Sequence, residues 1–132
     1  MKNYLAKAVG TTSSTNNKYA MFIGRWQPWH EGHRWLIDQA LNEGKNVLLC
    51  IRDVKPDEKN PWTAWQIFDN LKIALQDLIN AQRVHIIVIP DIESVNIGRG
   101  IGYDVIEHVP PQEINDISAT KIREQLKAEG KL

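Results

Sequence analysis

Two histidines, His30 and His33, stand three residues apart in the segment Gly24-Arg-Trp-Gln-Pro-Trp-His-Glu-Gly-His33, directly after a short apolar run. Gly24 permits a tight turn, and Gly32 lets the backbone approach a ligand where a following helix exposes unpaired N–H groups. Helix N-termini attract phosphate through those donors and through the helix dipole. Imidazoles placed there can donate hydrogen bonds to a phosphoryl group whose charge changes during a reaction. The segment therefore predicts a phosphate site.

Incidental loop histidines and a metal-binding pair are the alternatives to a phosphate site. The metal alternative is the weaker one, because the spacing differs from His-Glu-x-x-His and no third ligand is obvious. The only cysteine, Cys50, lies inside an apolar run and is not placed to help. We therefore expect no metal ion held by protein ligands alone.

A second polar segment, Ile117-Ser-Ala-Thr-Lys-Ile-Arg123, begins the last predicted helix. Ser118 stands at the N-cap position and Thr120 in the first turn. Lys121 and Arg123 add positive charge near a helix start, where the helix dipole makes cations mildly unfavourable. A bound anion would relieve this conflict. The alternative is a common capping pattern followed by solvated cations.

The elements around these segments alternate between strands and helices. Apolar runs predict buried strands at 19–23, 46–51 and 84–89 and a weaker fourth strand at 103–109. Helical patterns cover 32–43, 63–80 and 118–129, and Thr63 and Gln66 have the spacing of a capping box. This order predicts an α/β fold, a Rossmann-like three-layer α/β/α sandwich with a small parallel sheet of about 4–5 strands. Ligands bind such sheets beyond the carboxyl ends of the strands, which is where both polar segments fall.

Together, His30-x-Gly-His33 and Ile117-Ser-x-Thr-x-x-Arg123 resemble the paired signature of the nucleotidyltransferase superfamily, also called cytidylyltransferase-like. The resemblance covers about residues 19–128. The first segment is most similar to the Gly-Arg-Phe-Gln-Pro-Phe-His-x-Gly-His of archaeal-type nicotinamide mononucleotide adenylyltransferases. Asn60-Pro-Trp-Thr-Ala64 likewise resembles their Asn-Pro-Phe-Thr-Ala.

The chain departs from this family in two places. Only 26 residues, 91–116, separate the third strand from the Ser118 segment, where family members usually fit a further strand and helix that help hold the acceptor. That stretch contains Asn96-Ile-Gly-Arg-Gly-Ile-Gly-Tyr103, whose glycines would let Arg99 approach a phosphate; a flexible loop is the alternative. The helix after Thr63 has Trp65-Gln66-Ile67 where the family often has an arginine.

The resemblance implies nucleotidyl transfer, in which a phosphorylated small-molecule acceptor attacks the α-phosphorus of a nucleoside triphosphate and pyrophosphate leaves. Transfer of AMP is favoured over transfer of CMP. A cytidylyltransferase that uses CTP and a phosphorylated alcohol or sugar is the first alternative, and a non-catalytic nucleotide-binding module is the second. Mg²⁺ is expected to enter with the triphosphate, without a dedicated protein cage.

The resemblance also suggests roles for individual residues. The predicted catalytic residues are His30, His33 and Arg123. The predicted nucleotide-binding residues are Gly24, Arg25, Gly32, Ser118, Thr120 and Lys121. The predicted acceptor-binding residues are Trp26, Trp29, Arg52, Lys55, Lys59, Trp62 and Arg99. Arg25 is a candidate for the acceptor phosphate as well, and solvation is the alternative role of the two lysines.

Composition limits the classes of protein that fit. The chain has 132 residues with 16 basic and 16 acidic side chains, so its formal net charge is zero. We expect a polar, flexible tail at 1–18 and one nucleotidyltransferase domain at 19–132. Zero net charge disfavours nucleic-acid and membrane partners, and no apolar stretch is long enough to span a bilayer. The single cysteine gives no sign of an oxidising compartment, so we expect a cytoplasmic protein, and self-association stays open.

Overall fold

The computed structural model describes residues 18–131. Its elements are β1 (Tyr19–Gly24), α1 (Glu31–Leu41), β2 (Asn46–Asp53), α2 (Ala64–Ala74), α3 (Gln76–Asn80), β3 (Val84–Pro90), α4 (Gln112–Asn115) and α5 (Ala119–Ala128). The three main strands and the α/β order expected from the sequence are confirmed. Apart from Lys18, the expected N-terminal tail lies outside the described residues. No helix in the described range is long and apolar enough to cross a membrane.

The sheet is parallel, with strand order β1-β2-β3. Among residues 18–131 it has three strands, so the expectation of four to five strands is wrong. The expected fourth strand at 103–109 is irregular, and Val105 and Ile106 in it are 73% and 56% exposed. Its apolar side chains have no layer of the fold to pack against, so the local apolar pattern does not produce a strand. This segment lies next to β1: the ring of His108 stacks on the ring of Phe22, with the two ring centroids 6.2 Å apart.

The core lies on one face of the sheet. Phe22, Leu49 and Ile86 are paired across the three strands and pack there with Ile37 of α1 and Leu71 of α2. Two right-handed crossovers that advance in the same direction place their helices on the same face, which accounts for this arrangement. The opposite face is less covered, since Met21 is 59% exposed. Thus α1, α2 and α3 make one helical layer, and the expected second helical layer is not formed by them.

Capping residues set the ends of the helices that lead into the site. Thr63 begins α2 through a capping box in which Gln66 N–H donates to Thr63 Oγ1 at 3.1 Å and Thr63 N–H donates to Gln66 Oε1 at 2.8 Å. Ser118 begins α5, where its Oγ accepts from Lys121 N–H at 3.1 Å. The helix expected at 63–80 is interrupted at Leu75, whose φ of −114° and ψ of 19° separate α2 from α3. The caps at Thr63 and Ser118 therefore start α2 and α5 at the positions that the sequence indicates.

Candidate active site

The two histidines of the first segment begin α1 and hold each other in place. His30 is the N-cap residue, and its Nδ1 accepts hydrogen bonds from Gly32 N–H at 3.0 Å and from His33 N–H at 3.4 Å. In return, His33 Nδ1 accepts from His30 N–H at 3.3 Å. The imidazole rings stack with their centroids 3.6 Å apart. Two histidines thus form a reciprocal capping box just beyond the carboxyl end of β1.

These hydrogen bonds determine which ring nitrogen can donate outward. Because Nδ1 of each ring accepts a backbone N–H, the proton of each neutral ring lies on Nε2. Burial lowers the pKa of His30. Burial and then the charge of His30 lower the pKa of His33 to about 3. Both rings are therefore neutral at physiological pH, and each offers one Nε2–H donor.

Tryptophan side chains fix the position of His33. The indole of Trp26 contacts the His33 ring edge-to-face, with ring centroids 4.9 Å apart. The centroid of the Trp29 ring lies 5.3 Å from that of the same imidazole. Trp26 is only 6% exposed, and its Nε1–H donates to the carbonyl oxygen of Cys50 on β2 at 3.0 Å. Trp26 was expected to line the acceptor cleft, but it lies in the core. Trp29 is half-buried and keeps a surface that a ligand can reach.

The space beside Trp26 explains the glycine at position 24. A Cβ on Gly24 would lie 2.9 Å from two ring atoms of Trp26. A Cβ on Gly32 would lie 2.8 Å from His30 Cε1. Both glycines of the first segment therefore leave room for an aromatic ring of the same segment. Trp26 itself has a φ of 54°, a conformation that is uncommon for a residue other than glycine.

Gln27 connects the first segment to the β2–α2 loop. Its side-chain Nε2 donates to the carbonyl oxygen of Trp62 at 2.8 Å, and Trp62 N–H donates to Gln27 Oε1 at 3.2 Å. The carbonyl oxygen of Gln27 accepts a hydrogen bond from Arg123 Nη1. Sequence reasoning assigned no role to Gln27. Its polar amide inside an otherwise aromatic segment was the available signal.

The second segment comes to the first through Arg123. Besides Gln27, the Arg123 guanidinium contacts Thr120, whose Oγ1 accepts from Nη2 at 3.3 Å. Ser118 is half-buried as the cap of α5, while Thr120 and Lys121 are exposed. On the same side, the carbonyl oxygen of Ile114 lies 3.7 Å from the Cβ position of Gly32. The structure therefore brings Arg123 of α5 and the carbonyl of Ile114 in α4 close to the residues around the start of α1.

Arg25 carries polar atoms that lack partners. Its Nε and Nη2 are buried and make no hydrogen bond within the described part of the chain. Asp57 is near enough that the Arg25 charge lowers the pKa of its carboxyl, after the larger effects of backbone N–H groups of Asn60 and Lys59. Buried polar atoms normally have partners, so these two nitrogens are free to donate hydrogen bonds to an anion.

The other cations of the predicted acceptor site are dispersed. Arg52 is tied to Asp91, since its Nη2 and Nε donate to Oδ1 at 2.7 and 3.1 Å. Lys55 and Lys59 are exposed in the loop before α2, and Arg99 is exposed in the loop after β3. Trp62 is half-buried beside Gln27. Within residues 18–131, no three His, Cys, Asp or Glu side chains are grouped so that they could hold a metal ion.

No protein-family model matches the chain. Nicotinamide-nucleotide adenylyltransferase of Caldivirga maquilingensis is 35% identical over 80 residues, which are 56% of this chain and 43% of that protein. The protein of the same name from Methanospirillum hungatei is 34% identical over 61 residues, 45% of this chain and 35% of its own length. Nicotinamide/nicotinic acid mononucleotide adenylyltransferase of Acinetobacter baylyi is 38% identical over 48 residues, 35% of this chain and 26% of its own length.

Each of these matches spans less than half of the curated relative. The chain is therefore similar, over part of its length, to proteins named as adenylyltransferases.

Proposed function

We propose that the chain transfers the adenylyl group of ATP to a phosphorylated small molecule and releases pyrophosphate. The observation that carries this proposal is the reciprocal pair of His30 and His33 at the start of α1, with Arg123 of α5 bonded to Gln27 three residues before His30. Two neutral donors, a helix N-terminus and a guanidinium are suited to a polyphosphate. The names of the similar proteins favour ATP over CTP as the donor.

The chemistry requires little from the histidines beyond hydrogen bonding. An oxygen of the acceptor phosphate forms a bond to the α-phosphorus, and the bond to the oxygen that bridges the α- and β-phosphorus breaks. Pyrophosphate leaves with that electron pair. A phosphate monoester is largely ionised near pH 7, so no general base is needed. The Nε2–H donors of His30 and His33 would stabilise the charge that builds on the α-phosphate.

The start of α5 supplies the remaining contacts to the triphosphate. In this proposal, Ser118, Thr120, Lys121 and Arg123 hold the β- and γ-phosphates. The free N–H groups of the helix start add donors that point in the same direction. Mg²⁺ enters as part of the triphosphate substrate. Gly24 and Gly32 leave room for the rings of Trp26 and His30, and thereby keep the His30 ring in place.

Arg25 is the best placed cation for the acceptor phosphate, because two of its buried nitrogens lack partners in the described chain. Trp29 and Trp62 are both half-buried and offer rings for the acceptor to contact. Lys55, Lys59 and Arg99 would reach an acceptor only from exposed loops, and Arg52 would first have to leave Asp91. The names of the similar proteins make nicotinamide mononucleotide the first acceptor to test. A cytoplasmic location fits such metabolites.

The test is pyrophosphate release by the purified chain from ATP or CTP with a panel of acceptors. The panel contains nicotinamide mononucleotide, nicotinic acid mononucleotide, a sugar phosphate and an alcohol phosphate, and each reaction is repeated without acceptor. Acceptor-dependent release from ATP is expected. Release from CTP alone would replace the proposal by the cytidylyltransferase alternative. ATP binding without release from any acceptor would indicate a nucleotide-binding module.

A further inference from the structure

Gln27 is a buried polar residue whose side-chain amide is directed at the β2–α2 loop. It is 4% exposed, and its amide makes a two-way pair with the backbone of Trp62. Glutamine is seldom buried, because its amide must be desolvated and both its donor and its acceptor need partners. An apolar side chain of similar size would fill this space with a smaller desolvation cost. The two hydrogen bonds are therefore what a glutamine adds at this position.

These hydrogen bonds join two loops that follow neighbouring strands. Gln27 lies after β1 and Trp62 lies at the end of the loop after β2, 35 residues later. The loop has its own turn, in which Asp57 Oδ1 accepts from Lys59 N–H at 2.9 Å and from Asn60 N–H at 2.7 Å. That turn is exposed, so it does not by itself fix the loop against the sheet. The Trp62 side chain packs against the core, and the Gln27 amide adds a polar connection through the Trp62 backbone.

We propose that Gln27 is a positioning residue that holds the β2–α2 loop in a fixed position relative to His30 and His33. With the loop it positions Trp62 and the acceptor side of the site. The proposal rests on the function proposed above. It assigns different roles to the side chain and to the backbone carbonyl of Gln27. The side chain sets the acceptor loop, while the backbone carbonyl accepts from Arg123 on the triphosphate side. A side-chain substitution removes the first connection and keeps the second.

The first test does not depend on activity. Trypsin cleavage of the exposed Lys59–Asn60 bond reports how firmly the loop is held. Gln27→Met removes both bonds to Trp62 and should speed this cleavage about tenfold, the effect expected from losing one or two hydrogen bonds. Gln39→Met is the matched control, because Gln39 also donates Nε2 to a tryptophan backbone, at 2.9 Å from the Trp35 carbonyl oxygen, but within α1. An unchanged cleavage rate in Gln27→Met, or equal acceleration in Gln39→Met, overturns the proposal.

A second variant keeps the test open if Gln27→Met does not fold. Gln27→Glu retains an oxygen that can accept from Trp62 N–H and loses the N–H that donates to the Trp62 carbonyl. Because its carboxylate would be buried and would repel the Trp62 carbonyl oxygen, its cleavage rate should exceed that of the wild type. Far-UV circular dichroism of each variant identifies the samples that are folded. A folded Gln27→Glu that is cleaved at the wild-type rate overturns the proposal.

Steady-state kinetics test whether the Gln27 side chain affects acceptor binding without affecting ATP binding. Gln27→Met should raise the KM for the acceptor about tenfold, again the effect of one or two hydrogen bonds, while the KM for ATP stays within about twofold. A merely structural defect would raise both constants or lower only the active fraction, and either result contradicts a positioning role. If the wild type shows no turnover with any acceptor, the proposed function fails, and the trypsin assay alone decides the role of Gln27.

Discussion

His30 and His33 cap the same helix for each other: the Nδ1 of each ring accepts the backbone N–H of the other residue, at 3.3 and 3.4 Å. The stacked rings cannot both carry a charge without repelling each other at a centroid distance of 3.6 Å. The pair therefore acts as one neutral unit with two outward donors.

Replacing His33 by alanine should reduce turnover at least ~10²-fold, the usual scale for losing one donor to a transition state. The substitution removes an Nε2–H donor and the acceptor for His30 N–H, while the core of the sheet is untouched. Turnover of a folded His33→Ala protein is the measurement. His108→Ala is the control, since His108 stacks on Phe22 away from the start of α1. A wild-type rate in His33→Ala would remove His33 from the mechanism.

Stability should fall on mild acidification because of His33. Its pKa is lowered from 6.5 to about 3 by burial and then by His30. Between these values the unfolded chain binds a proton that the folded chain does not, so the free energy of unfolding decreases as the pH falls. From pH 7 to pH 5.5 the His33 contribution is a loss of about 1 kcal/mol.

Urea unfolding of the wild type and His33→Gln at these two pH values measures that contribution. The variant should lose about 1 kcal/mol less than the wild type over the same interval. Ordinary carboxyl groups titrate below this range, and the remaining histidines are common to both proteins. An equal loss in the two proteins would show that His33 takes up its proton normally in the folded state.

Arg25→Met should weaken binding of the acceptor without lowering the free energy of unfolding. Two nitrogens of this guanidinium are buried without partners in the described chain, so no hydrogen bond seen there is lost when they are removed. We expect an unchanged or higher free energy of unfolding and a KM for the acceptor raised about 10–100-fold, as for a lost charged hydrogen bond. Arg34→Met is the control, because Arg34 is exposed on α1 and pairs with Asp38 at 2.8 Å. An unchanged acceptor KM would exclude Arg25 from the acceptor site.

Gly32→Ala should impair the histidine pair although alanine is the better helix former. Its Cβ would lie 2.8 Å from His30 Cε1 and 3.0 Å from His30 Nδ1, so the capping ring has to move. Turnover should fall by about tenfold or more, while the melting temperature changes little, because alanine favours the helix by up to about 1 kcal/mol over glycine. Gly98→Ala is the control, since a Cβ there meets nothing within 4 Å. Normal turnover in Gly32→Ala would show that the ring position is not critical.

Elements that depend on neighbouring residues were predictable from the sequence. The run of β2 is continuously apolar because this strand is central, and its consecutive residues Leu49, Cys50 and Ile51 are fully buried. The start of α2 follows from Thr63 and Gln66, whose mutual hydrogen bonds are both present. The proximity of the two motif segments followed from topology, since both stand at helix starts near the carboxyl edge of the sheet.

Elements that depend on distant partners were not predictable. Residues 103–109 have the apolar content of a strand, but a strand also needs a neighbour to pair with and a layer to pack on, and neither is visible in a local pattern. The core position of Trp26 depends on the Cys50 carbonyl, 24 residues away. Histidine is an unusual helix cap, so the reciprocal bonds of His30 and His33 could not be inferred from spacing alone.

The contact between Arg123 and the Gln27 carbonyl oxygen joins residues that are 96 positions apart. A chain emerging from the ribosome exposes β1 and α1 long before the segment that carries Arg123 has been translated. The sheet can begin to form during synthesis, since its strands lie within residues 19–90. Arg123 can contact the Gln27 carbonyl oxygen only after residues 91–123 have followed the last strand out of the ribosome. The two motif segments are thus joined later in synthesis than the strands of the sheet.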